Sequence, residues 1–352
     1  MKKLLKGNVA LCEGAVAAGL GSYFGYPITP QNEIPSYLSR RMLELGKVFV
    51  QAESEIAAAN MVLGAAVTGV RAMTSSSSPG ISLKQEAISY MAGMQVPALI
   101  VNVQRGGPGL GNISGSQSDY FQAVKGGGHG DYKVIVLSPN SAQEMYEMAY
   151  DAFDLAEKYR TPVIILADGI IGQMMEPVDL NRYEKKDFVD QDWWLNGAKG
   201  REPRSIKSLL MKDGVLEQHN VELQKKYQTI SENEVECELY MMENVDIVVV
   251  AYGISSRIAK SAVKYARKNG VNAGLLRPKT LWPFPSKIIN SLAKPNLKFL
   301  VVEMNHGQMV EDVKLAVNGK SAVRFFGKAG GGLITEHEIF EKLKKDQKSD
   351  IL

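Results

Sequence analysis

Cysteine is nearly absent from this 352-residue chain: only Cys12 and Cys237 occur, far apart in sequence. Two thiols make no disulfide framework, which fits a reducing compartment, and they exclude a four-cysteine iron–sulfur cluster held by this chain alone. Histidine is scarce too, and His129, His219, His306 and His337 have no metal-ligand spacing. No stretch approaches the ~18 apolar residues of a membrane span. The start, Met1-Lys2-Lys3-Leu4-Leu5-Lys6, lacks the apolar run of a secretory signal. Charge of one sign is missing as well: 41 basic against 38 acidic residues leave a formal charge of +3. The basic residues are scattered, so neither a nucleic acid nor a membrane surface is expected as partner. A cytoplasmic protein is expected. No GxxxxGK[ST] phosphate loop occurs, and Gly107, Gly109 and Gly111 are spaced by two, out of step with GxGxxG.

What is there alternates. Short apolar runs read as strands over Gly21–Tyr26, Lys47–Gln51, Arg71–Thr74, Pro97–Val103, Tyr132–Leu137 and Pro162–Ala167. Helices fall between them over Gly7–Leu20, from Asn32, over Ile56–Gly69, Ile81–Gly93, near Asp119–Lys125 and over Ser141–Lys158. Strands alternating with helices of this length predict a doubly wound parallel α/β sheet. The run Val48–Gln51 reads as a buried strand, and Ser54 is placed to cap the helix after it. From Glu176 to Val245 the chain turns charged. It reads as a linker anchored by Trp193-Trp194, with a helix over Val215–Thr229 and with Leu209, Leu210, Leu216, Leu223 and Tyr227 for packing. A second α/β unit begins at Asp246, with Ser255 as a helix cap and a Thr335–Glu338 capping box. The expected division is 1–175, a linker segment 176–245, and 246–352.

In such sheets ligands bind beyond the carboxyl ends of the strands. Thr29, on the Tyr26-Pro27-Ile28-Thr29-Pro30 loop, Glu55, the serines Ser75–Ser78 and Arg105 all fall there. Each also has a plainer reading. Glu55 in a first helical turn suits the helix dipole, the prolines suit a helix start, and the glycines after Arg105 suit a mobile loop or a close backbone approach. Glu303 and His306 also follow a strand and face a cleft, face a partner or are merely solvated.

Five segments in order, Tyr26–Pro30, Gln51-Ala52-Glu53-Ser54-Glu55, Val103–Pro108, Leu276-Arg277-Pro278 with Trp282-Pro283-Phe284-Pro285, and Val302–Gly307, resemble the alpha-type subunit of the 2-oxoacid:ferredoxin oxidoreductases over nearly the whole chain. The resemblance implies a pyrimidine-binding domain of thiamine-diphosphate-enzyme type followed by a domain like the C-terminal domain of transketolase. It implies that Glu55 hydrogen-bonds the aminopyrimidine ring of thiamine diphosphate, with Ile28, Ser76 and Ser77 beside it on the cofactor. A carboxylate there stabilises the tautomer whose own amino group takes the C2 proton. It implies that Thr29 and Arg105 meet the carboxylate and carbonyl of the 2-oxoacid, the guanidinium through paired charge-assisted bonds.

The diphosphate and metal of such enzymes need a Gly-Asp-Gly segment with a later Asn, and Ala167-Asp168-Gly169 has no such sequel. No metal ligand is therefore expected in this chain. The resemblance implies half an active site, completed by a thiamine-diphosphate-binding beta-type subunit that also holds Mg2+. A gamma-type subunit, a ferredoxin-like iron–sulfur subunit, ferredoxin as electron acceptor, coenzyme A as co-substrate and homodimerisation within the complex follow from the same likeness. Thr74–Gly80 with Gly106–Asn112 looks most like the 3-methyl-2-oxobutanoate (2-ketoisovalerate) type. A 2-oxoglutarate enzyme, a non-catalytic scaffold subunit and a lipoamide-linked decarboxylase component are the alternatives.

Overall fold

The computed structural model describes residues 2–181 and 191–348. The chain opens with β1 (Lys2–Lys6), α1 (Gly7–Ala17), β2 (Ser22–Gly25), α2 (Glu33–Glu44), β3 (Val48–Gln51), α3 (Glu55–Ala66), β4 (Ala72–Ser76), α4 (Ser78–Met94) and β5 (Ala98–Gln104). It continues with α5 (Tyr120–Lys125), β6 (Ile135–Leu137), α6 (Ala142–Tyr159), β7 (Pro162–Asp168), α7 (Gly169–Gln173) and β8 (Met175–Asp179). Then follow α8 (Val215–Asn233), β9 (Cys237–Tyr240), β10 (Ile247–Val250), α9 (Gly253–Lys268), β11 (Ala273–Pro278) and β12 (Thr280–Trp282). The last elements are α10 (Ser286–Leu292), β13 (Lys298–Glu303), α11 (Met309–Val317), β14 (Ala322–Gly327) and α12 (Glu336–Lys348).

Two α/β sheets carry the fold. The first is seven-stranded in the order β12-β6-β7-β5-β4-β2-β3, the second five-stranded in the order β14-β13-β10-β11-β9. Both are parallel except for one antiparallel edge strand each, β12 on β6 and β9 on β11. Strand β12 comes from the rigid Arg277–Pro285 connection and joins the first sheet, while β9 comes from the 176–245 segment and joins the second. The two units are thus laced together by exchanged edges. The central strands β5 and β7 are apolar along most of their length and buried throughout, as a sheet covered on both faces requires.

Helix starts follow their sequence signals. The Ser54 hydroxyl accepts from the Ala57 N–H at 3.2 Å, and Ser141 accepts from Glu144 N–H at 3.1 Å. Thr335 and Glu338 form the reciprocal capping box.

Several expectations are corrected. The run Val48–Gln51 is not buried: β3 is the sheet edge, with a neighbour on one side only, and Val48 is 50% exposed. Ser75 and Ser76 lie inside β4 rather than in a loop. Ser255 does not cap α9; its hydroxyl donates to Gln117 at 2.8 Å. Leu209 and Leu216 are exposed, while Leu223 and Tyr227 pack as expected, joined by Ile230. Strand β1, unannounced by its basic sequence, pairs with β8 as a separate two-stranded ribbon. Trp194 does anchor its segment: a Cβ on Gly69 would strike its ring, and Leu195 N–H reaches the Val67 carbonyl at 2.9 Å.

Candidate active site

In the seven-stranded sheet the chain runs from β2 outward to β3 and then returns across β2 to β4. The connection α2 packs on α1 and β3, while α3 packs on α4, β2 and β4. The chain leaves β2 toward one side, through α2 to β3, and leaves β4 toward the other, through α4 to β5, so a crevice opens beyond the carboxyl ends of β2 and β4. Beneath it a buried chain of bonds joins the two strands and the loop after β2. The Tyr23 hydroxyl meets Ser75 Oγ at 2.7 Å, and Ser75 reaches Gln31 Oε1 at 2.5 Å.

One wall is the meeting of two helix starts. Glu55 is the first residue of α3 and is buried. A Cβ added to Gly80, in the first turn of α4, would stand 2.7 Å from Glu55 Oε1 and closer still to Ser76 Oγ. Only a residue without a side chain lets these groups approach. The hydroxyls of Ser76 and Ser77 are buried there and have no hydrogen-bond partner among the described residues. Buried hydroxyls without partners are costly unless something else satisfies them.

The opposite wall is Arg105, at the end of β5. Its guanidinium donates from Nη1 to the Thr29 carbonyl at 3.0 Å and from Nη2 to the Leu110 carbonyl at 2.9 Å, while buried Nε has no partner. Thr29 and Arg105 are thus joined directly, and the Thr29 hydroxyl accepts from Asn32 at 3.3 Å. Ile28 is half-buried beside them, its carbonyl taking the Gln31 N–H. The glycine loop folds on itself, with Asn112 N–H bonded to the Gly106 carbonyl at 2.9 Å. The close approach its glycines permit is to the loop itself and to the Gly330 turn: a Cβ on Gly106 would meet the Asn112 side chain and the Gly330 backbone, and one on Gly111 would strike the Gly106 backbone.

Residues that sequence reasoning passed over hold these walls. Asp119 accepts from Ser78 Oγ at 2.6 Å and Asn102 Nδ2 at 2.9 Å, and Ser78 Oγ in turn takes the Arg105 N–H at 3.0 Å. Burial raises the Asp119 carboxyl above its ordinary range, against the pull of those two bonds. Lys84 is fully buried one turn below Gly80. A lone Asp ahead of a helix has no sequence signal beyond that of an ordinary cap. Lys84 had one: it falls on the buried stripe of Ile81, Gln85 and Ile88.

Glu303 and His306 do not face this crevice. Glu303 is fully buried and accepts from the Met309 and Val310 N–H groups at 2.8 and 3.0 Å, so it seats the start of α11, while His306 is exposed. Asp168 ends β7 with its carboxylate taken by Ile171 N–H at 3.0 Å and Ile254 N–H at 2.8 Å. Among the described residues, no group of three or more His, Cys, Asp or Glu is placed to hold a metal ion. No helix among them is long and apolar enough to cross a membrane.

Residues 13–243 match the family described as pyruvate flavodoxin/ferredoxin oxidoreductase, thiamine diphosphate-binding. The chain belongs to this family of 2-oxoacid:ferredoxin oxidoreductases. Residues 245–339 match the pyruvate:ferredoxin oxidoreductase core domain II. The oxidoreductase chain is 52% identical to the ketoisovalerate oxidoreductase subunit VorB of Methanothermobacter marburgensis, over 97% of each chain. It is 38% identical to the 2-oxoglutarate synthase subunit KorA of the same organism, over 96% of this chain and 97% of that one. The solved 2-oxoglutarate:ferredoxin oxidoreductase from Magnetococcus marinus, with 2-oxoglutarate, coenzyme A and succinyl-CoA bound, matches 98% of this chain at a TM-score of 0.85 and 26% identity. This chain spans 65% of the length of that one. A split-gene transketolase, at a TM-score of 0.60 and 13% identity, shares the fold. The chain is thus a subunit of a multisubunit 2-oxoacid oxidoreductase.

Proposed function

We propose that this subunit supplies the aminopyrimidine side of a thiamine diphosphate site in a 3-methyl-2-oxobutanoate:ferredoxin oxidoreductase, with coenzyme A taking the acyl group. The observation that carries the reading is the set of buried polar atoms left without partners around Glu55 and Arg105: Ser76 Oγ, Ser77 Oγ and Arg105 Nε. Polar atoms buried at a topological switch point and unused by the chain suit a ligand. The branched-chain substrate is supported by 52% identity to a ketoisovalerate subunit against 38% to a 2-oxoglutarate subunit.

The residues fit one end of the cofactor. Thiamine diphosphate, when bound, supplies the electron sink for decarboxylation. The Glu55 carboxylate would exchange a proton with the ring nitrogen, and Ser76, Ser77 and Ile28 line the same side. Arg105 pairs with the substrate carboxylate, through Nε or by exchanging the Thr29 and Leu110 carbonyls for it. The diphosphate–metal end does not fit, since both oxygens of Asp168 are engaged by backbone N–H groups. That end, with Mg2+, belongs in this reading to a beta-type partner subunit. The iron–sulfur clusters belong to further partners that pass electrons to ferredoxin. The division into 1–175, 176–245 and 246–352 is part of the same proposal.

The test is anaerobic isolation of the native complex and an assay of coenzyme-A-dependent viologen reduction over several 2-oxoacids. The expected outcome is the highest kcat/KM on 3-methyl-2-oxobutanoate, and a loss of about 10²–10⁴-fold in Glu55→Gln with assembly unchanged. A maximum on 2-oxoglutarate would move the substrate. Full activity of the variant would leave the subunit a scaffold.

A further inference from the structure

On helix α4 the usual burial order is inverted at one point. Leu83 is 49% exposed, and its neighbour Lys84 is fully buried. The Lys84 ammonium makes a 2.8 Å hydrogen bond to Thr74 Oγ1 and stands 3.5 Å from the Glu55 backbone carbonyl. A buried ammonium costs several kcal/mol unless paired, so a lysine held this way calls for a compensating role. Lys84 follows Gly80 by one helical turn on the face turned toward α3, and Gly80 is the residue against which the Glu55 carboxylate rests.

We propose that Lys84 is the positioning residue for Glu55: it ties the first turn of α3 to β4 and keeps a positive charge beneath the carboxylate that meets the cofactor ring. The inference rests on the cofactor reading above. Glu55 is the one ionisable side chain on α3, and β4 and β5 carry none. Asp168 on β7 is turned to its own backbone partners, and Asp119 faces Ser78 at the other side of the first turn. Glu86 and Tyr90 on α4 bond each other on the exposed face, and the loop bearing His129 covers Ser89. Lys84 and Glu55 therefore face each other without an intervening charge. Burial lowers the Lys84 ammonium to about 8, with the Glu55 charge opposing that fall, so the positive charge is present at neutral pH and is lost as pH rises through that value.

The experiment is calorimetric titration of the assembled, cofactor-free complex with thiamine diphosphate and Mg2+ from about pH 7.5 to 9.5, for wild type and Lys84→Met. One unit of pKa corresponds to a factor of ten, so the wild type should lose affinity by about tenfold across this range. Lys84→Met should bind about tenfold more weakly at the lower pH and vary little with pH. A variant with wild-type affinity and a wild-type pH profile overturns the inference, whatever its Tm. Should Lys84→Met fail to assemble, Thr74→Val decides. Loss of the 2.8 Å partner should move the wild-type inflection to lower pH, and an unmoved inflection overturns the proposal. A wild-type complex that binds no thiamine diphosphate overturns the functional reading as well, whereas one that binds and turns over while Lys84→Met behaves identically overturns only the role of Lys84.

Discussion

The two sheets of this protein have the same kind of crevice and use it in opposite ways. In the five-stranded sheet the chain leaves β10 for β11 on one side and later returns to β13 on the other. That switch point is filled by Gln117 from the first unit. Its amide donates to the Tyr252 carbonyl at 2.9 Å, and its Oε1 accepts from Ser255 Oγ at 2.8 Å and Met304 N–H at 3.0 Å. Its backbone carbonyl takes the Tyr252 hydroxyl at 3.0 Å and Asn305 Nδ2 at 2.7 Å. Nearly every polar group at that edge finds a partner in the chain itself. At the β2/β4 edge of the seven-stranded sheet, Ser76, Ser77 and Arg105 retain buried polar atoms with none. The topology is shared, so topology alone does not distinguish a ligand crevice from an interface between domains. The difference lies in whether the chain satisfies its own hydrogen-bonding groups.

That contrast is open to attack from both sides. The largest effect expected is on the closed crevice. Gln117→Ala strands the Ser255 hydroxyl and the Met304 N–H, each worth about 1–3 kcal/mol when buried unpaired, and leaves the Tyr252 carbonyl with the Ser256 N–H alone, so urea unfolding should show a loss of about 2–5 kcal/mol. A loss below about 0.5 kcal/mol would mean that Gln117 is not what seals the second edge. The open crevice should respond in activity instead of stability. Gly80→Ala adds a methyl 2.7 Å from Glu55 Oε1. A displacement of this size should lower kcat/KM by about 10²-fold, while the helix itself tolerates or prefers alanine. Wild-type turnover in Gly80→Ala would show that Glu55 need not sit where the structure holds it.

The smallest effect concerns Asp168, which links the two edges by capping α7 and α9. Burial pushes its carboxyl up to about 6 from 3.8, against four backbone hydrogen bonds that favour the charged form. The folded chain therefore holds this proton more tightly than the unfolded chain does. The stabilisation is complete below pH 3.8 and is lost as pH rises through about 6. From about pH 4.5 to 7 this group should cost about 2 kcal/mol of stability, a slope missing in Asp168→Asn. Equal slopes in the two proteins would place the carboxylate in a better-solvated setting than its burial implies.

Much of this was legible in advance. The strand–helix alternation, the caps at Ser54 and Thr335, and the clustering of Thr29, Glu55 and Arg105 at one sheet edge follow from local periodicity and from the one-sidedness of parallel sheets. The misreadings have a common origin. Val48–Gln51 reads as a core strand because its composition is that of one, but edge position is a property of strand order. Ser255 reads as a cap, and Glu303 stays open between a cleft, a partner-facing surface and solvation, because the sequence shows their place after a strand and not the Gln117 loop or the start of α11 that occupies their neighbourhood.

The sequence by itself determined the fold class, the family, and which residue types stand at which strand ends, because these depend on spacing along the chain. Only the tertiary structure decided which of those groups are used up and which are left over. Asp168 was taken by two helix starts, Arg105 by two carbonyls, and the second crevice by Gln117, while Lys84 was buried beneath Glu55. Hydrogen-bond satisfaction is a pairwise matter in space: these pairs join residues from 3 to 188 positions apart, and no local pattern records the distant ones.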